Sequence, residues 1–70
     1  MDVAMEVGGQ YRLKLDQEIR DEQTGTLKEF IHKGTIIKVK KISVEENQVW
    51  LEGYHYPVGY RALRRRVEKV

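Results

Sequence analysis

The stretch Ile36–Val44, which reads IIKVKKISV, decides the fold class of this 70-residue chain. Five of its nine residues are Ile or Val, and β-branched side chains favour strands. Ile37 and Val39 point to one face of an extended chain, whereas Ile42 and the last valine have the opposite parity. A β-bulge near residues 40–41 would bring both pairs to the same core. The stretch therefore predicts one long strand with a bulge.

An aromatic strand follows after a polar loop, at Val49–Gly53, which reads VWLEG. Alternation puts Trp50 on the same face as Glu52, and a charged side chain belongs in water. We therefore expect Trp50 to lie on the outer face of a sheet. If the strand runs on, Tyr54 and Tyr56 share this face.

The first half of the chain predicts a hairpin with an acidic tip. Residues Tyr11–Leu15 alternate apolar and polar side chains, which is typical of a half-buried strand. The polar stretch Asp16–Gly25 comes next, and Leu27–Ile31 has the composition of a returning strand. Lys33-Gly34-Thr35 then favours a tight turn into the long strand.

The end of the chain fits two kinds of secondary structure. Leu63, Val67 and Val70 have the spacing of a helix face, whereas Val67 and Lys69 alternate as in a short strand. Because short strands dominate the preceding sequence, we predict a brief helical turn followed by a strand within residues 62–70.

The order of these segments resembles an SH3 domain. Phe30–Val39, FIHKGTIIKV, resembles the SH3 stretch in which an apolar residue and a lysine-glycine diverging turn precede a β-branched strand. Val49–Gly53 resembles the tryptophan-to-glycine strand, and Gly59-Tyr60 with the turn into Val67 resembles the SH3 ending. The polar hairpin at 16–26 stands where an SH3 domain has its RT loop.

The resemblance covers residues 10–70 and implies an all-β fold, a small SH3-like barrel of about five antiparallel strands with a short helical turn near the C-terminus. Residues 1–9 would form a flexible lead-in, where Gly8-Gly9 favours a turn or hinge. Ala62–Arg66 stands where SH3 domains have a proline-asparagine-tyrosine ending. The chain is therefore more similar to the divergent SH3-like barrels of bacteria and their phages, which use one scaffold for varied partners.

SH3 domains bind proline-rich peptides in an aromatic groove, and an acidic RT loop grips a basic residue of the peptide. The resemblance and the strand parity together predict a non-enzymatic module that binds a protein partner through an exposed aromatic face, because tryptophan and tyrosine bury much area with few rotatable bonds. An alternative interpretation is that the aromatic side chains cover the rim of a small core. The candidate protein-binding residues are Trp50, Tyr54, Tyr56, Asp16, Glu18, Asp21 and Glu22.

Basic side chains suggest a second function, nucleic-acid binding, in which cations hold phosphates while bases stack on aromatic rings. An alternative interpretation is a solvated charged face. The net charge of the whole chain is +2, and the acidic hairpin would repel a phosphate backbone. The candidate nucleic-acid-binding residues are Lys38, Lys40, Lys41, Arg61, Arg64, Arg65 and Arg66.

The charges divide unevenly along the chain. Residues 1–31 hold four basic and seven acidic side chains, and residues 32–70 hold nine and four, so the two balances are −3 and +5. If the fold keeps these halves apart, the surface is dipolar and can steer a charged partner. A third interpretation is a homo-oligomer in which the acidic hairpin of one copy meets the basic half of another.

Metal and catalytic chemistry find no support in the sequence pattern. The chain has no cysteine, and neither His32 nor His55 has a second ligand at zinc spacing. No nucleophile stands near a base and an orienting residue, and no glycine-rich loop has the pattern that cradles phosphate. We expect no enzymatic activity, no metal and no cofactor.

Composition also indicates a compartment. No apolar run approaches the ~20 residues of a membrane span. Asp2 and Glu6, with no basic residue before the short apolar stretch, are not typical of a secretory signal. The absence of cysteine fits a reducing environment. We therefore expect a cytoplasmic protein without a membrane partner.

Overall fold

The computed structural model describes residues 2–70 and contains seven strands and one helix in that range. The five-stranded sheet has the order β6-β5-β4-β1-β7, and β2 pairs with β3 in a separate two-stranded sheet. All pairings are antiparallel. The elements are β1 (Gln10–Leu13), β2 (Gln17–Arg20), β3 (Leu27–Ile31), β4 (Ile36–Ser43), β5 (Gln48–Leu51), β6 (Val58–Gly59), α1 (Tyr60–Arg66) and β7 (Val67–Lys69).

The all-β prediction is confirmed. The strands of residues 2–70 lie in two sheets and do not close into one hydrogen-bonded barrel, so the SH3-like barrel stays a prediction. At the C-terminus, a seven-residue helix is followed directly by a three-residue strand, which is the order that the sequence predicts.

The long strand β4 carries the predicted bulge. Its pairing with β5 shifts register between Val39 and Lys41. Before the shift, side chains alternate strictly between buried and exposed. After the shift, Ile42 packs against the core as a half-buried residue, whereas Val44 is exposed. The bulge therefore returns one of the two later apolar residues to the core, and the strand ends at Ser43 before it can return the other.

The predicted returning strand is confirmed as β3, but its partner is not the strand at Tyr11. β3 pairs with β2, which lies within the stretch predicted as a polar loop, whereas β1 pairs with β4 and β7. Ile19 of β2 and Ile31 of β3 are buried against the rest of the domain. The first strand is shorter than the alternation predicts. β1 ends at Leu13, which is buried, and Leu15 is 53% exposed. The expectation that Leu15 belongs to a half-buried strand is therefore wrong, because the chain leaves the sheet two residues earlier.

The core lies between the five-stranded sheet, the hairpin and the helix. Its buried apolar residues are Met5, Tyr11, Leu13, Ile19, Ile31, Ile37, Val39, Val49, Leu51, Val58, Leu63 and Val67.

The start of α1 is fixed by Asn47. Its side-chain oxygen accepts the Arg61 N–H at 2.8 Å, and its backbone oxygen accepts the Tyr60 N–H at 3.2 Å.

The segment predicted as a lead-in lies against this core. Met1 is outside the described residues. Met5 is buried, the Val3 N–H donates to the Arg64 carbonyl, and the Glu6 N–H donates to the Tyr11 hydroxyl at 2.8 Å. Residues 2–9 thus contribute to the packed domain.

The fold interleaves the two charged halves of the chain. β1 from the acidic half lies between β4 and β7 from the basic half. Asp2 contacts both Arg64 and Arg65, at 3.1 and 3.7 Å, and Arg12 contacts Glu68 at 3.2 Å. Acidic and basic side chains therefore lie close together, and the surface is less dipolar than the sequence halves alone suggest.

No helix within residues 2–70 combines the length and the apolar character that crossing a membrane requires.

Candidate binding cleft

A cleft of about 390 Å³ separates the tip of the β2–β3 hairpin from the segment that joins β5 to β6. We call residues 20–23 the tip wall and the trio Trp50, Tyr56 and Pro57 the aromatic wall; Gln48 completes the lining. Four of the predicted protein-binding residues meet here. They are Trp50, Tyr56, Asp21 and Glu22.

Trp50 reaches the cleft because of strand alternation. Its neighbours Val49 and Leu51 are 0% and 1% exposed, and Trp50 on the opposite face is half-buried. After the bulge in β4, Lys41 is its cross-strand partner, so the two side chains stand side by side on the outer face. The predicted outward position of Trp50 is confirmed.

Tyr54 does not join Trp50. β5 ends at Leu51, and a turn with Gly53 at φ +85° follows, so the strand parity no longer applies. Tyr54 packs partly buried against the core, whereas Tyr56 is 38% exposed and lines the cleft. One tyrosine thus matches the core-rim interpretation, and the other matches the exposed-face interpretation.

The aromatic wall is tied to the hairpin by Glu29. Its Oε1 accepts the N–H of His55 at 2.7 Å and the N–H of Tyr56 at 3.2 Å. Its neighbour Lys28 places Nζ 5.8 Å from the centre of the Tyr56 ring. Glu29 was not among the predicted site residues. The sequence feature that could have indicated it is strand parity, because Glu29 lies on the same face of β3 as the buried Ile31.

The tip wall is organised by Asp21. Its Oδ1 accepts the backbone N–H groups of Gln23 and Thr24 at 2.8 and 3.1 Å. These two hydrogen bonds lower the pKa of the Asp21 carboxyl below its ordinary value. Asp21 therefore shapes the turn. Glu22, the other carboxylate of the tip wall, takes no part in these two hydrogen bonds.

The other two acidic candidates lie away from the cleft lining. Glu18 contacts Arg20 at 2.9 Å on the outer face of the hairpin. Asp16 lies at the base of the hairpin, where its Oδ1 accepts the Lys33 N–H at 2.7 Å. Asp16 therefore supports the base of the hairpin, and Glu18 holds Arg20 of the tip wall from outside the cleft lining.

The seven basic candidates lie on two elements, β4 and α1. Four of them already contact acceptors within the chain: Lys38 reaches Glu52 at 3.4 Å, Arg64 and Arg65 reach Asp2, and Arg66 donates to the Asp16 carbonyl. The exposed side chains that remain are Lys40, Lys41 and Arg61.

The two histidines have local contacts of other kinds. His32 stacks edge-on against Phe30 with ring centres 4.9 Å apart, and His55 Nδ1 lies 3.7 Å from Glu29 Oε2. Within residues 2–70, no group of three or more His, Cys, Asp or Glu side chains is arranged to hold a metal ion.

Comparison with known proteins finds no matching family model, no matching curated protein and no matching solved structure.

Proposed function

We propose that this chain is a non-enzymatic SH3-like binding module that holds an extended segment of a protein partner between the tip wall and the aromatic wall. The observation that carries the proposal is the cleft itself. It brings Trp50 and Tyr56 opposite an acidic turn from a distant part of the chain.

The arrangement of the elements supports the SH3-like part of the proposal. The β2–β3 hairpin stands where the resemblance places an RT loop, and the Gly34 turn leads from it into β4. Trp50 lies on the next strand, and a short helix precedes the last strand.

The aromatic wall offers the kind of surface that proteins use as an anchor. Its two rings retain accessible area, since Trp50 is half-buried and Tyr56 is exposed. Covering such rings removes apolar area from water with little loss of rotamer freedom, and interface hot spots are enriched in both residue types. Pro57 adds a rigid apolar edge next to them.

Charge around the cleft gives a partner its orientation. Glu22 stands on the tip wall beside Arg20, whose guanidinium is already paired with Glu18 at 2.9 Å. Lys41 is the cross-strand neighbour of Trp50 and lies outside the cleft lining. A segment with a basic residue near the tip wall would gain an attractive contact there. Such complementarity raises the association rate more than the affinity.

The proposal is tested by selecting peptides from a random library on the immobilised chain and measuring their affinity for variants. Tyr56→Ala and Trp50→Ala should each weaken binding about tenfold or more, as expected for anchors. Phe30→Ala is the matched control, because Phe30 is 41% exposed and lies on the hairpin outside the cleft lining. Equal affinity of the Tyr56→Ala variant and the wild type would refute the proposal.

Nucleic-acid binding is the second candidate, and the pairing of Lys41 with Trp50 favours it. A base stacked on Trp50 would bring its phosphate near the lysine. Single-stranded oligonucleotides should then quench Trp50 fluorescence, and their affinity should fall steeply between low and moderate salt. Quenching that does not respond to salt would speak against this candidate.

A further inference from the structure

Glu29 joins two distant parts of the chain through hydrogen bonds to its side chain. It lies on β3, and the backbone N–H groups of His55 and Tyr56 both donate to its Oε1. The side chain of Glu29 is 19% exposed, whereas that of His55 is 86% exposed. The carboxylate is therefore sheltered, and hydrogen bonds to a sheltered charged acceptor are among the stronger ones in proteins.

The segment held by Glu29 has little secondary structure of its own. Residues 52–57 connect β5 to β6, and β6 has two residues. Near the start of the 52–57 segment, the Tyr54 N–H donates to the Leu51 carbonyl at 3.2 Å. The next two N–H groups depend on Glu29, and a segment of this kind opens locally more easily than a paired strand.

We infer that Glu29 is the positioning residue of the cleft, and this inference rests on the proposed function of the cleft as the binding site. β3 begins beside the tip wall, where Leu27 pairs with Arg20, and Tyr56 belongs to the aromatic wall. One carboxylate thus sets the distance between the two walls. Without it, Tyr56 has to be ordered when the partner binds, and that ordering weakens affinity.

The ring of Tyr56 is held from the same strand. Lys28 Nζ lies 5.8 Å from the ring centre, within the range of a cation–π contact. Consecutive residues of β3 therefore contact the backbone and the ring of one tyrosine. This double contact distinguishes Tyr56 from Trp50, because Trp50 is positioned by its own strand, β5.

Amide hydrogen exchange measured by NMR tests the positioning role without a ligand. In the Glu29→Ala variant, exchange at His55 and Tyr56 should accelerate about tenfold or more, while amides of β4 and β5 keep their wild-type rates. Glu29→Gln keeps an acceptor oxygen and should give intermediate rates. Glu68→Ala, which removes an exposed carboxylate on the far edge strand β7, should leave both amides unchanged.

Two exchange results would overturn the inference: unchanged rates at His55 and Tyr56 in Glu29→Ala, or an equal acceleration at every amide in both Glu29 variants. Affinity for a library-selected peptide separates this inference from the proposed function. If Trp50→Ala weakens binding and Glu29→Ala does not, the positioning role is refuted and the cleft stands. If neither weakens binding, the proposed function is refuted.

Discussion

The central sheet and the cleft are stabilised by different interactions. In the sheet, β4 is hydrogen-bonded on both sides and buries Ile37 and Val39. In the cleft, Asp21 organises the turn at the tip and Glu29 holds the segment that carries Tyr56, whereas Trp50 is positioned by β5. Because Asp21 and Glu29 are not among the residues of the apolar core, we expect that the tip turn and the Tyr56 segment can be altered without unfolding the domain.

The largest loss of stability is expected from a substitution in the core. Leu63 is the buried residue of α1 and is 0% exposed. Leu63→Ala should lower the free energy of unfolding by about 2–5 kcal/mol, through lost burial and the cavity left behind. Denaturant unfolding measures this value. Leu15→Ala, at an exposed leucine, is the control and should change stability by less than about 0.5 kcal/mol.

A smaller effect is expected at the turn between hairpin and sheet. Gly34 has φ +91°, and a Cβ there would meet no neighbouring atom, so any cost of Gly34→Ala comes from the backbone. We expect a loss of about 1 kcal/mol. Gly59→Ala is the matched control, since Gly59 has φ −59° and ordinary space for a Cβ. Similar losses at both glycines would contradict this explanation.

The smallest effect on stability is expected at the tip wall, and it depends on pH. The pKa of Asp21 is lowered in the fold, so its ionised form stabilises the fold above its ordinary value of 3.8. This contribution is lost as the pH falls through the lowered folded value. The Tm of the wild type should therefore exceed that of Asp21→Ala at neutral pH, and the gap should close in acid.

A gap in Tm that is constant from neutral to strongly acidic pH would show that ionisation of Asp21 does not organise the turn. Glu22→Ala is the control for this measurement. Glu22 lies on the same tip wall, outside the Asp21 hydrogen-bond network.

Alternation of apolar and polar residues predicted the sheet well and the cleft in part. It indicated the bulge in β4 and the outward position of Trp50, because side-chain direction follows sequence parity while the chain is extended. It could not place Tyr54, since the turn at Gly53 ends the parity. It also extended β1 to Leu15, which the chain geometry excludes.

The role of Glu29 could not be predicted from its own strand alone. Its parity marks an acidic residue on a core-facing side, but its acceptor contacts involve residues 26 and 27 positions later in the sequence. The backbone N–H groups of His55 and Tyr56 carry no side-chain signature, so the sequence does not show which carboxylate receives them. Long-range polar contacts of this kind require the folded chain.

NMR chemical-shift mapping with a library-selected peptide tests directly whether the cleft is the binding site. We predict that the largest shifts fall on the Trp50 indole N–H and on the amides of residues 21–23, Gln48 and Tyr56. Shifts concentrated on α1, with the Trp50 indole unmoved, would contradict the assignment of the cleft as the binding site.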